Sequence, residues 1–99
     1  MDRNEYSLQL SINGRQLSRV IIDQHYQEKH GDLNDDLILK LVKPLDGGNF
    51  DIQRRSGDFE YFAIEPIYLE EKTYRVVLVL CIVDDYLGVV NAFRVRRGK

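Results

Sequence analysis

The chain has 99 residues, 43% of them hydrophobic and 30% charged, with a formal net charge of -2. That describes a single domain with one core, large enough to need neither disulfides nor a structural metal, and the negative balance argues against broad nonspecific binding to nucleic acid. No apolar run approaches a membrane span, the opening MDRNEY lacks the apolar stretch of a secretory signal, and the single Cys81 cannot form an intrachain disulfide; cytoplasmic residence is the expectation.

Tyr6, Leu8, Leu10 and Ile12 alternate with Ser7, Gln9 and Ser11, the period of a half-buried strand. Asn13-Gly14 then predicts a two-residue type I′ hairpin, because both positions of that turn need positive φ. The chain returns over Arg15 to Ile22, with Leu10 facing Leu17 and Tyr6 facing Ile21. Asp23 is placed to cap a short helix over Gln24 to His30, which Gly31 ends. Asn34 caps a second helix. Asp35 and Asp36 favour its dipole, and Leu33 and Ile38 occupy the positions of a hydrophobic staple. Leu37, Ile38, Leu41 and Val42 form its apolar stripe, and Pro44 ends it.

Beyond the loop Leu45-Asp46-Gly47-Gly48, an extended segment Asn49 to Gln53 leads to a turn at Arg55-Ser56-Gly57-Asp58 and a strand from Phe59 to Ile64. Pro66 predicts an edge or a bend, and Glu70-Glu71-Lys72 a turn. Val76 to Val83 is apolar at every position, which predicts a central strand or burial on both faces. If Asp84-Asp85 is the whole loop, Val79 faces Val90 and Arg75 faces Arg94. Like charges directly opposite destabilise a sheet. Either the loop is longer and the register shifts, or the two guanidiniums share an anion: Asp, Glu or a phosphate. The resulting class is α+β, in the order ββααββββ: an N-terminal β-hairpin, a helical hairpin, then a mostly antiparallel sheet of three to four strands.

His25 and His30 are the only histidines. Five residues apart on a helix, they point roughly 140° away from each other, a poor zinc chelate, so no metal or other cofactor is expected. His30 suits a helix C-terminus; either histidine is also a candidate proton carrier. The basic end, Arg94, Arg96, Arg97 and Lys99, is either a solvated tail or a contact for RNA phosphates. Neither a Gly-rich phosphate loop nor a hydrolase triad is patterned in the chain.

Tyr74-Arg75-Val76-Val77, the apolar run behind it, the acidic turn and the basic end, preceded by a strand and a helical hairpin, resemble the RelE/ParE toxin superfamily. Lys29-His30-Gly31 before an amphipathic helix looks like the BrnT-type toxins, which share the general fold. The resemblance implies a small toxin, an endoribonuclease acting on ribosome-bound mRNA and paired with a cognate antitoxin. It implies that Arg75, with Arg94 or Arg96, holds the scissile phosphate; His25 or His30 would carry the proton. The chain departs from the family in being acidic and in lacking a clear counterpart to the lysines that precede the Tyr-Arg strand. ParE-like relatives target gyrase instead, so the fold alone does not carry the function. The alternatives are a non-catalytic protein-binding domain, and a homodimer through a sheet edge near Pro66 or the N-terminal hairpin.

Overall fold

The computed structural model describes residues 3–28 and 31–95. Strands β1 (Arg3–Ile12), β2 (Arg15–Asp23), β3 (Arg54–Ser56), β4 (Phe59–Leu69), β5 (Lys72–Cys81) and β6 (Tyr86–Arg94) form one sheet in the order β1-β2-β6-β5-β4-β3. β2 and β6 run parallel; every other neighbouring pair is antiparallel. Among the described residues a single α-helix, α1 (Asp35–Val42), passes into a 3₁₀ turn over Lys43–Leu45 that contains Pro44. Among the described residues, no helix is long and apolar enough to cross a membrane.

The expected α+β domain with a helical hairpin is therefore corrected to a mostly-sheet fold with six strands. Two physical reasons account for the difference. Gln24–Glu28 winds as a 3₁₀ helix, since so few residues do not repay α-helix nucleation. It buries Tyr26 alone, an anchor rather than a stripe. The expected end of that helix, at His30, lies outside the described residues. The sheet also gains length, because Arg54–Ser56 pairs with Phe59–Tyr61 and β4 continues past Pro66, with a register irregularity between Ile64 and Ile67.

Asn13 and Gly14 have φ of 54° and 76°, as a type I′ turn requires. Leu10 faces Leu17, but the register slips between Ser7 and Leu10, so Tyr6 faces Val20 rather than Ile21. Tyr6 keeps the face of Leu8, Leu10 and Ile12, which α1 covers. There Ile38, Leu41 and Val42 pack with Leu10, Leu17, Val20, Ile22, Phe62, Val76, Leu78, Leu80, Leu87, Val89 and Ala92. The Asn34 side chain caps α1, accepting from the Leu37 N–H at 2.8 Å.

One carboxylate fixes α1 to the hairpin. Asp35 accepts from the Tyr6 hydroxyl at 2.5 Å, the Tyr26 hydroxyl at 2.8 Å, Asn4 Nδ2 at 2.8 Å and Gln24 Nε2 at 3.1 Å. Burial is the largest single influence on Asp35 and raises its pKa, yet the four donors together outweigh it and hold the carboxyl below its ordinary 3.8. Tyr26 is pushed up to about 12, first by its own burial and then by the carboxylate it contacts.

The loop after α1 closes the outer edge of β1. Ser11 N–H donates to Asp46 Oδ1 at 2.7 Å, and Gly47 N–H donates to the Ser11 carbonyl at 2.6 Å. The Asn13 amide serves Phe50 twice, donating to its carbonyl at 3.1 Å and accepting from its N–H at 2.6 Å. Between β4 and β5 the turn is made by Glu70 and Glu71, with φ of 51° and 69°. Each is an L-residue in the left-handed region, at a cost of about 1 kcal/mol.

Two outcomes follow. A carboxyl whose folded pKa is depressed stabilises fully above its unfolded value, and that stability is lost as the pH falls through the folded value. Acid denaturation should therefore contain an Asp35 component that begins near pH 3.8 and extends below it. Asp35→Asn should remove that component and cost about 3 kcal/mol at neutral pH, read from urea midpoints at several pH values. Replacing Glu70-Glu71 by Asn-Gly should raise stability by about 1 kcal/mol in the same measurement.

Candidate functional site

The strand registers align one row across all six strands: Glu5, Ile21, Gly88, Val79, Tyr61 and Arg54. This row lies on the face opposite α1, which no helix covers among the described residues. Arg19 and Tyr86, paired across β2 and β6, and Phe59, paired with Cys81, stand one row further along. Gly88 leaves a gap between larger neighbours. The result is a groove of about 360 Å³ lined by Arg3, Ile21, Asp23, Phe59, Tyr61, Val79, Tyr86, Gly88 and Val90. A Cβ at Gly88 would fall 2.5 Å from Val79 Cγ1, so only glycine there leaves room for the Val79 side chain that lines the groove.

Arginines edge the aromatic floor. The Arg54 guanidinium lies 4.5 Å from the Tyr61 ring centre, and that of Arg19 lies 5.5 Å from Tyr86. Arg19 is also bound to Asp84 at 2.7 Å, Asp85 at 3.1 Å and Glu5 at 3.4 Å. Asp85, then Asp84, raises its pKa further above the ordinary arginine value. The Ser18 hydroxyl donates to Asp85 as well. Burial, aided by Cys81 and Asp84, raises the pKa of Tyr86, so its hydroxyl keeps its proton.

At the end of the groove, Asp23 Oδ1 accepts the His25 N–H at 3.0 Å and lies 2.8 Å from His25 Nδ1. The backbone N–H of His25 is the main influence that holds Asp23 below its ordinary 3.8, against burial, with the imidazole adding to it. An ionised Asp23 selects the tautomer protonated at Nδ1 and leaves Nε2 as an acceptor. Arg3 stands opposite Asp23 in the β1–β2 register and adds positive field there.

The structure brings together few of the residues expected from sequence. Arg75 faces Phe93, and Tyr74 faces Arg94. A one-residue shift reverses the face of a side chain, so the two arginines lie on opposite sides of the sheet and share no anion. The loop is longer than Asp84-Asp85, spanning Ile82 to Asp85, and a further irregularity falls between Val77 and Leu78. Arg75 Nη1 instead donates to Glu65 Oε1 at 3.0 Å. His30, Arg96, Arg97 and Lys99 lie outside the described residues. His25 is the expected site residue that stands beside the groove. Among the described residues, no three His, Cys, Asp or Glu side chains are placed to hold a metal ion.

Sequence reasoning passed over Tyr61, Tyr86, Arg54, Arg3 and Asp23 as site residues. Two signals pointed to them. The unbroken apolarity of Val76 to Val83 asks for cover on both faces, and the described residues hold one α-helix to provide it. A glycine inside a strand marks a close approach, and Gly88 is the floor of the groove. Comparison with family models, with curated proteins and with solved structures returned no match.

Gly88→Ala should force Val79 aside and lower stability by about 1–3 kcal/mol. Thermal unfolding measures the loss, and a shift of the Tyr86 ring resonances in NMR would report the altered groove.

Proposed function

We propose that this protein is a toxin-like, single-strand-specific endoribonuclease whose working surface is the uncovered sheet face. The observation that carries this reading is His25, set by Asp23 with no partner at Nε2 among the described residues, at the end of an aromatic groove edged by arginine. Unstacked bases lie on Tyr61 and Tyr86, as single strands do on aromatic sheet surfaces. Arg3 draws the phosphate towards the Asp23 end. His25 Nε2 takes the proton of the ribose 2′-hydroxyl, whose oxygen attacks the adjacent phosphorus. The P–O5′ bond breaks, and the leaving oxygen takes a proton from solvent water. The products are a 2′,3′-cyclic phosphate and a 5′-hydroxyl. In this reading the toxin-type function expected from the Tyr74–Arg97 pattern is kept, with a cognate antitoxin as partner, but the chemistry moves from Arg75 and Arg94 to His25, Asp23 and Arg3.

A second reading is favoured by a different observation. Ile21, Val77 and Val79 make much of the same face apolar, while Arg19 and Arg75 are already paired with carboxylates. Such a face suits a protein partner, which makes the chain a non-catalytic binding domain.

Purified protein incubated with labelled single-stranded RNA at low salt separates the two. Cleavage should leave cyclic-phosphate ends. His25→Ala should slow it by about 100-fold or more, and Tyr61→Ala should weaken RNA binding by about tenfold. Expression in bacteria should arrest growth, and His25→Ala should relieve the arrest. Failure of the intact protein to bind or cut RNA rejects the first reading, and specific retention of one protein partner supports the second.

A further inference from the structure

β3 ends early. Its three residues pair with Phe59–Tyr61, and the last contact on that side is the Gln53 N–H, which donates to the Tyr61 carbonyl at 2.9 Å. β4 runs on to Leu69 with β5 along one edge. Backbone direction alternates along a strand, so Ala63, two residues beyond Tyr61, turns its N–H and C=O to the same side as Tyr61. Among the described residues, no backbone hydrogen bond from 49–52 reaches it.

The segment before β3 diverges from this edge instead of covering it. Phe50 is held elsewhere, through both bonds to Asn13 and a stack on Phe62 at 5.8 Å between ring centres. Exposed Asp51 and Gln53 flank half-buried Ile52 in the alternation of a strand, yet 49–53 is not paired as one. A notch of about 350 Å³ is left between this segment and β4, lined on one side by Asn49 to Asp51 and Gln53 and on the other by Ala63 to Glu65. None of its lining residues lines the groove of the opposite row.

We propose that this notch is a docking site for an extended segment of a partner protein, added as a strand to the edge of β4. The chemistry of the edge selects the occupant. Unpaired backbone donors and acceptors in extended geometry are satisfied by another extended backbone, and by little else. Charge selects further. Asp51 and Glu65 line the notch, and no cation does; Glu65 is already paired with Arg75, so exposed Asp51 is the charge that favours a basic side chain in the segment. The other outer edge, on β1, is closed by Asp46 to Phe50 only near its turn.

The test uses the whole chain with a defined probe, the peptide acetyl-Thr-Val-Lys-Val-Lys-Val-Thr-amide, followed by two-dimensional NMR. Peptide should shift the amides of 49–53 and 62–65 and slow hydrogen exchange at Ala63 by about tenfold or more. Two N-methylated forms of the peptide, blocking alternate amides, give the decisive comparison, because they leave the protein unaltered. Blocking the set that faces β4 should weaken binding by about tenfold or more, while blocking the other set should not. Equal binding by both forms, shifts confined to the groove, or no shift at millimolar peptide would overturn the proposal. So would concentration-dependent changes at the same amides without peptide, which would make a second copy of this chain the occupant. The RNA reading can fail without affecting any of these outcomes.

Discussion

Parallel pairing between β2 and β6 decides the architecture. Arg19, Val20, Ile21 and Ile22 stand beside Tyr86, Leu87, Gly88 and Val89. Without that seam the chain would be a two-stranded hairpin, marginal by itself, and a separate meander. Parallel neighbours cannot be joined by a tight turn, so the chain between them must cross over one face of the sheet. α1 lies in that crossover, and the core forms where it lies. The opposite face is left without a layer for the same reason. Polar contacts hold one end of the seam: the Ser18 N–H donates to the Asp85 carbonyl at 2.9 Å, and Arg19 grips both Asp84 and Asp85.

Two aspartates show how the sides of this sheet divide structure from chemistry. Asp35, on the covered side, receives four donors from two parts of the chain and has no capacity left for a ligand. Asp23, on the open side, is occupied by His25 alone among the described side chains. The first is a clamp, since removing a partner would strand a half-buried carboxylate. The second orients an imidazole whose other nitrogen remains available. Sequence presents both merely as acidic residues beside predicted helix starts.

Local chemistry made much of the fold readable. Asn13-Gly14 announced its turn, Asn34 its cap, and Leu10 its partner Leu17, because each depends on neighbours a few residues away. What escaped depends on distant contacts. The slip between Ser7 and Leu10 changes the partner of Tyr6, and its bond to Asp35, 29 residues along the chain, depends on where α1 docks; nothing near Tyr6 signals either. Counting across Asp84-Asp85 failed because Ile82 and Val83 belong to the loop despite their apolar character. That error propagated to the basic end and paired Arg75 with Arg94. The groove was still harder to read, since its central row takes one residue from each of six strands.

β6 is the last strand in chain order but lies third in the sheet, between β2 and β5. During synthesis, the hairpin and α1 leave the ribosome long before the strand that joins them to the meander. The apolar sides of Val20 and Ile22 must wait for Leu87 and Val89, and long-range pairings of this kind are slow to form. Until β6 emerges, the nascent chain carries two incomplete sheets with unpaired inner edges, the form in which β-rich chains associate wrongly. Completion of the core is therefore a late, all-at-once event, and truncation just before Tyr86 would leave the preceding strands without their common partner.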